Sequence, residues 1–139
     1  MATVLIVEDN QSVAKFYALA LERRGQFNCL QAHTADEVLA QARSGAVDVI
    51  LLDVSLASFA YQERPIDGLE LSRVLKSDSA TRHIPILLAT AHAMVGDRER
   101  FLESSGADDY LQKPIYDPDI LVTKVQALLP KGASDAALG

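Results

Sequence analysis

Four apolar runs in this 139-residue chain are each followed closely by a residue whose side chain can do chemistry. Glu8 and Asp9 come after Val4-Leu5-Ile6-Val7, Asp53 after Val49-Ile50-Leu51-Leu52, Thr90 after Ile86-Leu87-Leu88-Ala89, and Lys113 after a weaker run from Asp109 to Leu111. Two carboxylates about 4 Å apart repel by roughly 4 kcal/mol at an effective dielectric near 20, so three gathered together stay ionised only around a cation. Oxygen donors without a cysteine cluster or a histidine pair favour Mg²⁺, or Mn²⁺, over Zn²⁺. Mg²⁺ keeps positions for waters and phosphate oxygens. Lys113 could then supply a point charge and Thr90 a hydroxyl to a phosphoryl group, with Asp53 as the nucleophile that becomes an acyl phosphate. Taken singly, an Asp after a strand is ordinarily a cap, a Thr on a strand filler and a Lys-Pro a loop. The equivalent placement of all four sites carries the reading.

The elements that must position them alternate along the chain. The runs Thr3 to Val7, Phe27 to Gln31, Val47 to Leu52, Ile86 to Ala89 and Asp109 to Leu111 predict strands. Three are continuous rather than alternating, as expected where both faces are covered. Between them lie helix signals. Val13, Phe16, Tyr17, Ala20 and Leu21 form one apolar stripe, ended by Arg23-Arg24-Gly25. Thr34-Ala35-Asp36-Glu37 and Asp67-Gly68-Leu69-Glu70 resemble capping boxes. A fourth helix is expected from about Met94 to Ser105, and a fifth from about Asp117 to Leu129 before Pro130. Five βα units with right-handed crossovers predict a doubly wound α/β sandwich, commonly in strand order 2-1-3-4-5. Ligands bind such folds beyond the carboxyl ends of the strands, at the switch point between the first and third. A TIM barrel would need about 250 residues.

Composition narrows the function classes. Hydrophobic residues at 49% and charged residues at 23% describe a globular domain. A net charge of -6 disfavours direct nucleic-acid or anionic-membrane binding. The lone Cys29 cannot form an intramolecular disulfide and reads as a small hydrophobe on a strand. The N-terminus lacks a secretion-signal pattern and no apolar run reaches membrane-spanning length, so a cytoplasmic location is the expectation.

Together these segments resemble the receiver domain of two-component response regulators, with its flavodoxin-like, CheY-like fold. Val4 to Asn10, Val49 to Val54, Pro85 to Ala91 and Lys113-Pro114 are similar to its four signature segments, and the likeness runs from about Thr3 to Leu129. It implies that Asp53 accepts a phosphoryl group from a sensor histidine kinase or a histidine phosphotransfer protein. It implies direct metal ligation by Asp9, Asp53 and the backbone carbonyl of Ser55, with Glu8 acting through water. Thr90 would bond the new phosphoryl oxygen and draw the following loop inward, Lys113 would ion-pair with it, and Tyr110 would turn inward as Thr90 moves. Asn10, Ser55 and His92 match variable positions that tune phosphoryl lifetime. The Lys113-Pro114 bond would be cis. The face of the fourth helix, fifth strand and fifth helix would recruit a downstream protein or a second copy in a phosphorylation-dependent homodimer. The domain would be a regulatory phosphoacceptor rather than a metabolic enzyme.

One segment departs from the pattern. About seven extra residues lie within Ala57 to Ile66, before Asp67-Gly68 opens the third helix. Phe59 and Tyr61 are expected to pin this loop to the body, with a lid or a partner surface as the alternative. Competing functions are a phosphorylation-independent receiver, or an aspartyl-phosphate phosphatase of the haloacid-dehalogenase kind. The second wants an Asp two positions after the nucleophile, where Ser55 stands. No glycine-rich phosphate cradle follows the first strand. The expected organisation is a receiver over 1–130 and a mobile tail over 131–139.

Overall fold

The computed structural model describes residues 1–91 and 95–129. Its elements are β1 (Thr3–Val7), α1 (Gln11–Gly25), β2 (Asn28–Gln31), α2 (Ala35–Arg43), β3 (Val49–Asp53), β4 (Ala60–Tyr61), β5 (Arg64–Pro65), α3 (Gly68–Ser77), β6 (Ile86–Thr90), α4 (Asp97–Ser105), β7 (Asp109–Gln112) and α5 (Pro118–Leu128). Five strands form one parallel sheet in the order β2-β1-β3-β6-β7, which is the expected 2-1-3-4-5 order with β6 and β7 as fourth and fifth strands. The switch point falls between β1 and β3.

Why the central strands are apolar without interruption is visible in the two cores. Leu5, Val7, Ile50, Leu52, Ile86 and Leu88 join the helices α2 and α3 on one face. Val4, Ile6, Val49, Leu51, Leu87 and Ala89 join α1 and α5 on the other. Side chains alternate across a strand, so a sheet covered on both sides requires apolar residues at every position.

The caps act largely as expected. Asn10 Oδ1 accepts from the Val13 amide at the start of α1, Thr34 Oγ1 from Glu37 at α2, and Asp67 Oδ1 from Glu70 at α3. Glu37 departs from the capping-box pattern, because its carboxylate accepts from the His33 amide rather than from the cap residue. Cys29 is half-buried in β2, and burial, followed by the nearby Glu22 charge, pushes its thiol up to about 11.

Several boundaries differ from the expectation. β2 begins at Asn28 and β3 at Val49, while Phe27 and Val47 enter the core from the preceding turns. Asp53 and Thr90 are the last residues of their strands rather than the first beyond them. Phe16 leaves the apolar stripe of α1 and is 36% exposed, because the buried face is centred on Ala14, Tyr17 and Leu21. α4 begins at Asp97, not near Met94, which together with His92 and the expected tail lies outside the described residues.

The extra segment is folded. β4 and β5 pair as an antiparallel hairpin around Gln62 and Glu63, both with left-handed φ (52° and 64°). Phe59 (3% exposed) and Ile66 (6%) are buried in the core, Tyr61 packs partly against it, and β4 lies beside α2. The expectation that the aromatics pin the loop to the body holds.

Candidate metal and phosphoryl site

Strand register decides which side chains meet. Val7 lies opposite Leu52, Asp53 opposite Ala89, and Thr90 opposite Gln112. The residues just past β1, ending β3 and β6, and just past β7 therefore share one edge of the sheet. Backbone bonds tie them together: the Val54 amide donates to Ala89 and the Lys113 amide to Thr90.

Glu8, Asp9 and Asp53 each present a carboxylate oxygen within 4.8 Å of the others. Glu8 and Asp53 are buried, at 3% exposure each, and Asp9 is half-buried. Lys113 donates from Nζ to Glu8 Oε1 (2.9 Å) and to Asp53 Oδ1 (3.2 Å), and its bond to Pro114 is cis. Burial pushes the Asp53 carboxyl up to about 7; the Glu8 charge pushes the same way, and Lys113 pulls it down. Burial alone would lower the Lys113 ammonium, but bonding to Glu8 and the Asp53 charge prevail and raise it. One ammonium thus leaves three crowded carboxylates under-neutralised. Hard oxygen donors with a surplus of negative charge fit a Mg²⁺ or Mn²⁺ ion.

The other expected residues take distinct places. Thr90 is buried at the end of β6, one strand from Asp53. Ser55 is exposed in the loop after β3, two residues from Asp53. Asn10, expected to flank a phosphoryl group, is exposed and spends its side-chain oxygen on the α1 cap. Tyr110 on β7 packs its ring 6.3 Å from that of Phe101 on α4, and burial raises its phenol pKa.

Three features escaped the sequence reading. The Ser58 amide donates to Asp9 Oδ2 at 3.3 Å, so the extra segment reaches the acidic cluster. Gly68 lies against the backbone of Asp53: a Cβ built there would sit 2.1 Å from the Asp53 carbonyl oxygen. In the sequence the Asp-Gly pair marks a helix start, and this close approach is a second reason for the glycine. Tyr17 is buried on α1, its hydroxyl has no hydrogen-bond partner among the described residues, and burial and then the charges of Glu8 and Asp53 raise its pKa.

Among known proteins, the response regulator receiver domain matches residues 4–126. The chain is 36% identical over 121 residues to the polar-differentiation response regulator DivK of Brucella ovis, spanning 87% of this chain and 91% of that protein. Chemotaxis protein CheY4 of Vibrio cholerae has a similar structure, with a TM-score of 0.77 at 27% identity, over 93% of this chain and 99% of that one. The receiver domain of NtrX from Brucella abortus shares the fold at 24% identity, with a TM-score of 0.76 over 91% and 97% of the two chains. Among the described residues, no helix is long and apolar enough to cross a membrane.

Proposed function

The chain belongs to the response regulator receiver family of two-component signalling, and on that premise we propose that it is a switch set by phosphorylation of Asp53. The donor would be a sensor histidine kinase or a histidine phosphotransfer protein. The observation that carries the reading is the Lys113 ammonium bonded to both Glu8 and Asp53 beside a third carboxylate.

In the transfer, an Asp53 carboxylate oxygen attacks phosphorus, the phosphorus–nitrogen bond to the donor imidazole breaks, and the imidazole leaves with its electron pair. Asp9, Asp53 and the Ser55 carbonyl would hold Mg²⁺, or Mn²⁺, with Glu8 acting through water; the bound ion neutralises charge on the transferred group. Lys113 moves its bonds from the carboxylates to the new phosphoryl oxygens, and Thr90 donates its hydroxyl to another. Phosphorylation adds about 1.5 to 2 negative charges. The ammonium and hydroxyl contacts that absorb them exist only in the phosphorylated state.

Those contacts would favour one arrangement of the segment after Thr90, and Tyr110 on β7, whose ring packs against Phe101 of α4, would turn inward as Thr90 moves. A shift from 1:99 to 99:1 needs about 5.5 kcal/mol, within reach of several charge-assisted hydrogen bonds. The α4-β7-α5 face would then recruit a downstream protein or a second copy. On this reading the domain is a cytoplasmic regulatory phosphoacceptor, with no direct nucleic-acid or membrane contact. Intact-protein mass spectrometry after incubation with acetyl phosphate tests it: one added phosphate with Mg²⁺ and none with chelator is the expected pair of results. Labelling indifferent to chelator would remove the metal from the account.

A further inference from the structure

Among the described residues, the hairpin segment meets the acidic cluster at the Ser58 amide. Asp9 is half-buried, one residue before the α1 cap, and could turn its carboxylate toward water. Among the described residues, the hydrogen bond that its carboxylate accepts comes from the Ser58 amide, to Oδ2 at 3.3 Å. Ser58 itself is exposed, and its position is set by its neighbours. Phe59, the next residue, is buried at 3% exposure; its amide donates to Leu56, and its carbonyl accepts from the Ile66 amide where the hairpin closes. Leu56 and Ile66 are themselves buried at 5% and 6%. A buried aromatic and a closed hairpin therefore fix the peptide that faces Asp9.

We propose that the 57–66 segment is a strut for the metal site, in which the Ser58 amide is the positioning group that holds the Asp9 carboxylate toward Glu8 and Asp53. This rests on the reading of the carboxylates as the Mg²⁺ site. A hydrogen bond to one carboxylate oxygen fixes the rotation of the group, which a free Asp9 would otherwise give up when it ligates the ion. The amide dipole also offsets part of the repulsion among the three acids while the ion is away. Because the strut is the peptide and not the Ser58 hydroxyl, the side chain is free to vary.

The test is Mg²⁺ titration of the full chain by isothermal calorimetry, with amide chemical shifts as a second readout. Ser58→Pro removes the donor and is expected to raise the Mg²⁺ Kd about fivefold or more, while Ser58→Ala keeps it and stays within twofold of the native chain. Where Ser58→Pro fails to fold, an ester in place of the 57–58 amide removes the N–H donor while keeping the Ser58 side chain, and must give the same weakening. An unchanged or tighter Kd in the donor-free chains, with the native chain binding Mg²⁺, would overturn the strut and leave the metal site standing. A native chain that binds no Mg²⁺ would overturn the site itself and the strut with it.

Discussion

Lys113 and Asp53, sixty positions apart in the chain, are joined by a hydrogen bond of 3.2 Å from ammonium to carboxylate at the carboxyl edge of the sheet. The same ammonium bonds Glu8 at 2.9 Å. Both acids are almost fully buried, so this one cation offsets much of the negative charge the resting site carries.

Removing that cation should therefore be costly before any ion binds. Lys113→Met leaves Glu8 and Asp53 buried without their partner, and losing one member of a buried charge set typically costs about 3–5 kcal/mol. Lys113 keeps some solvent contact, which lowers the expected loss to about 2–3 kcal/mol. Urea unfolding in chelator should show it, and Mg²⁺ should restore part. A variant as stable as the native chain in chelator would mean that the ammonium does not neutralise the pair.

Stability without metal should also depend on pH in an unusual direction. Asp53 has its carboxyl raised from 3.8 to about 7, by burial first and by Glu8 second. Between about pH 4 and pH 7 the folded chain holds a proton that the unfolded chain has released, so stability falls as pH rises through that window and levels off above it. The expected loss is on the order of 2–4 kcal/mol. Thermal unfolding in chelator at pH 5 and pH 8 measures it. Asp53→Asn should flatten the slope, and a slope equal to the native one would place the titration on another group.

Gly68 should accept no side chain. Its amide donates to Val54 at 2.8 Å, and an added Cβ would overlap the Asp53 carbonyl oxygen, which is backbone and cannot swing aside. Gly68→Ala is expected to cost about 2–3 kcal/mol and to displace Asp53, so that labelling by acetyl phosphate slows at least tenfold. Native labelling in a folded Gly68→Ala chain would show that the strand end is more yielding than the close approach implies.

Tyr17 offers the opposite sign. Its buried hydroxyl has no hydrogen-bond partner among the described residues, and an unsatisfied buried polar group costs about 1–3 kcal/mol. Tyr17→Phe should raise stability by about 1 kcal/mol, read from the denaturation midpoint at unchanged slope. A loss of that size would show that the hydroxyl is bonded in solution.

Strand order and the meeting of Glu8, Asp9, Asp53, Thr90 and Lys113 at one edge were legible because continuous apolar runs mark a doubly covered sheet, and register then places whatever ends each run. The hairpin was not. Its turn residues, Gln62 and Glu63, take left-handed φ without the Asn or Gly that normally signals such a turn. Phe16 was misplaced because helical spacing admits a wider stripe than the sheet covers. The Ser58–Asp9 and Gly68–Asp53 approaches are tertiary events between segments with no shared local signal, and only coordinates reveal them.

The most direct test of the central claim is where the phosphoryl group goes. The chain would be incubated with acetyl phosphate and Mg²⁺, reduced with borohydride to convert an aspartyl phosphate to homoserine, and mapped peptide by peptide. Homoserine at position 53 in the native chain, and at no position in Asp53→Asn, is the predicted result; conversion at another aspartate, or equal conversion in both chains, would contradict it.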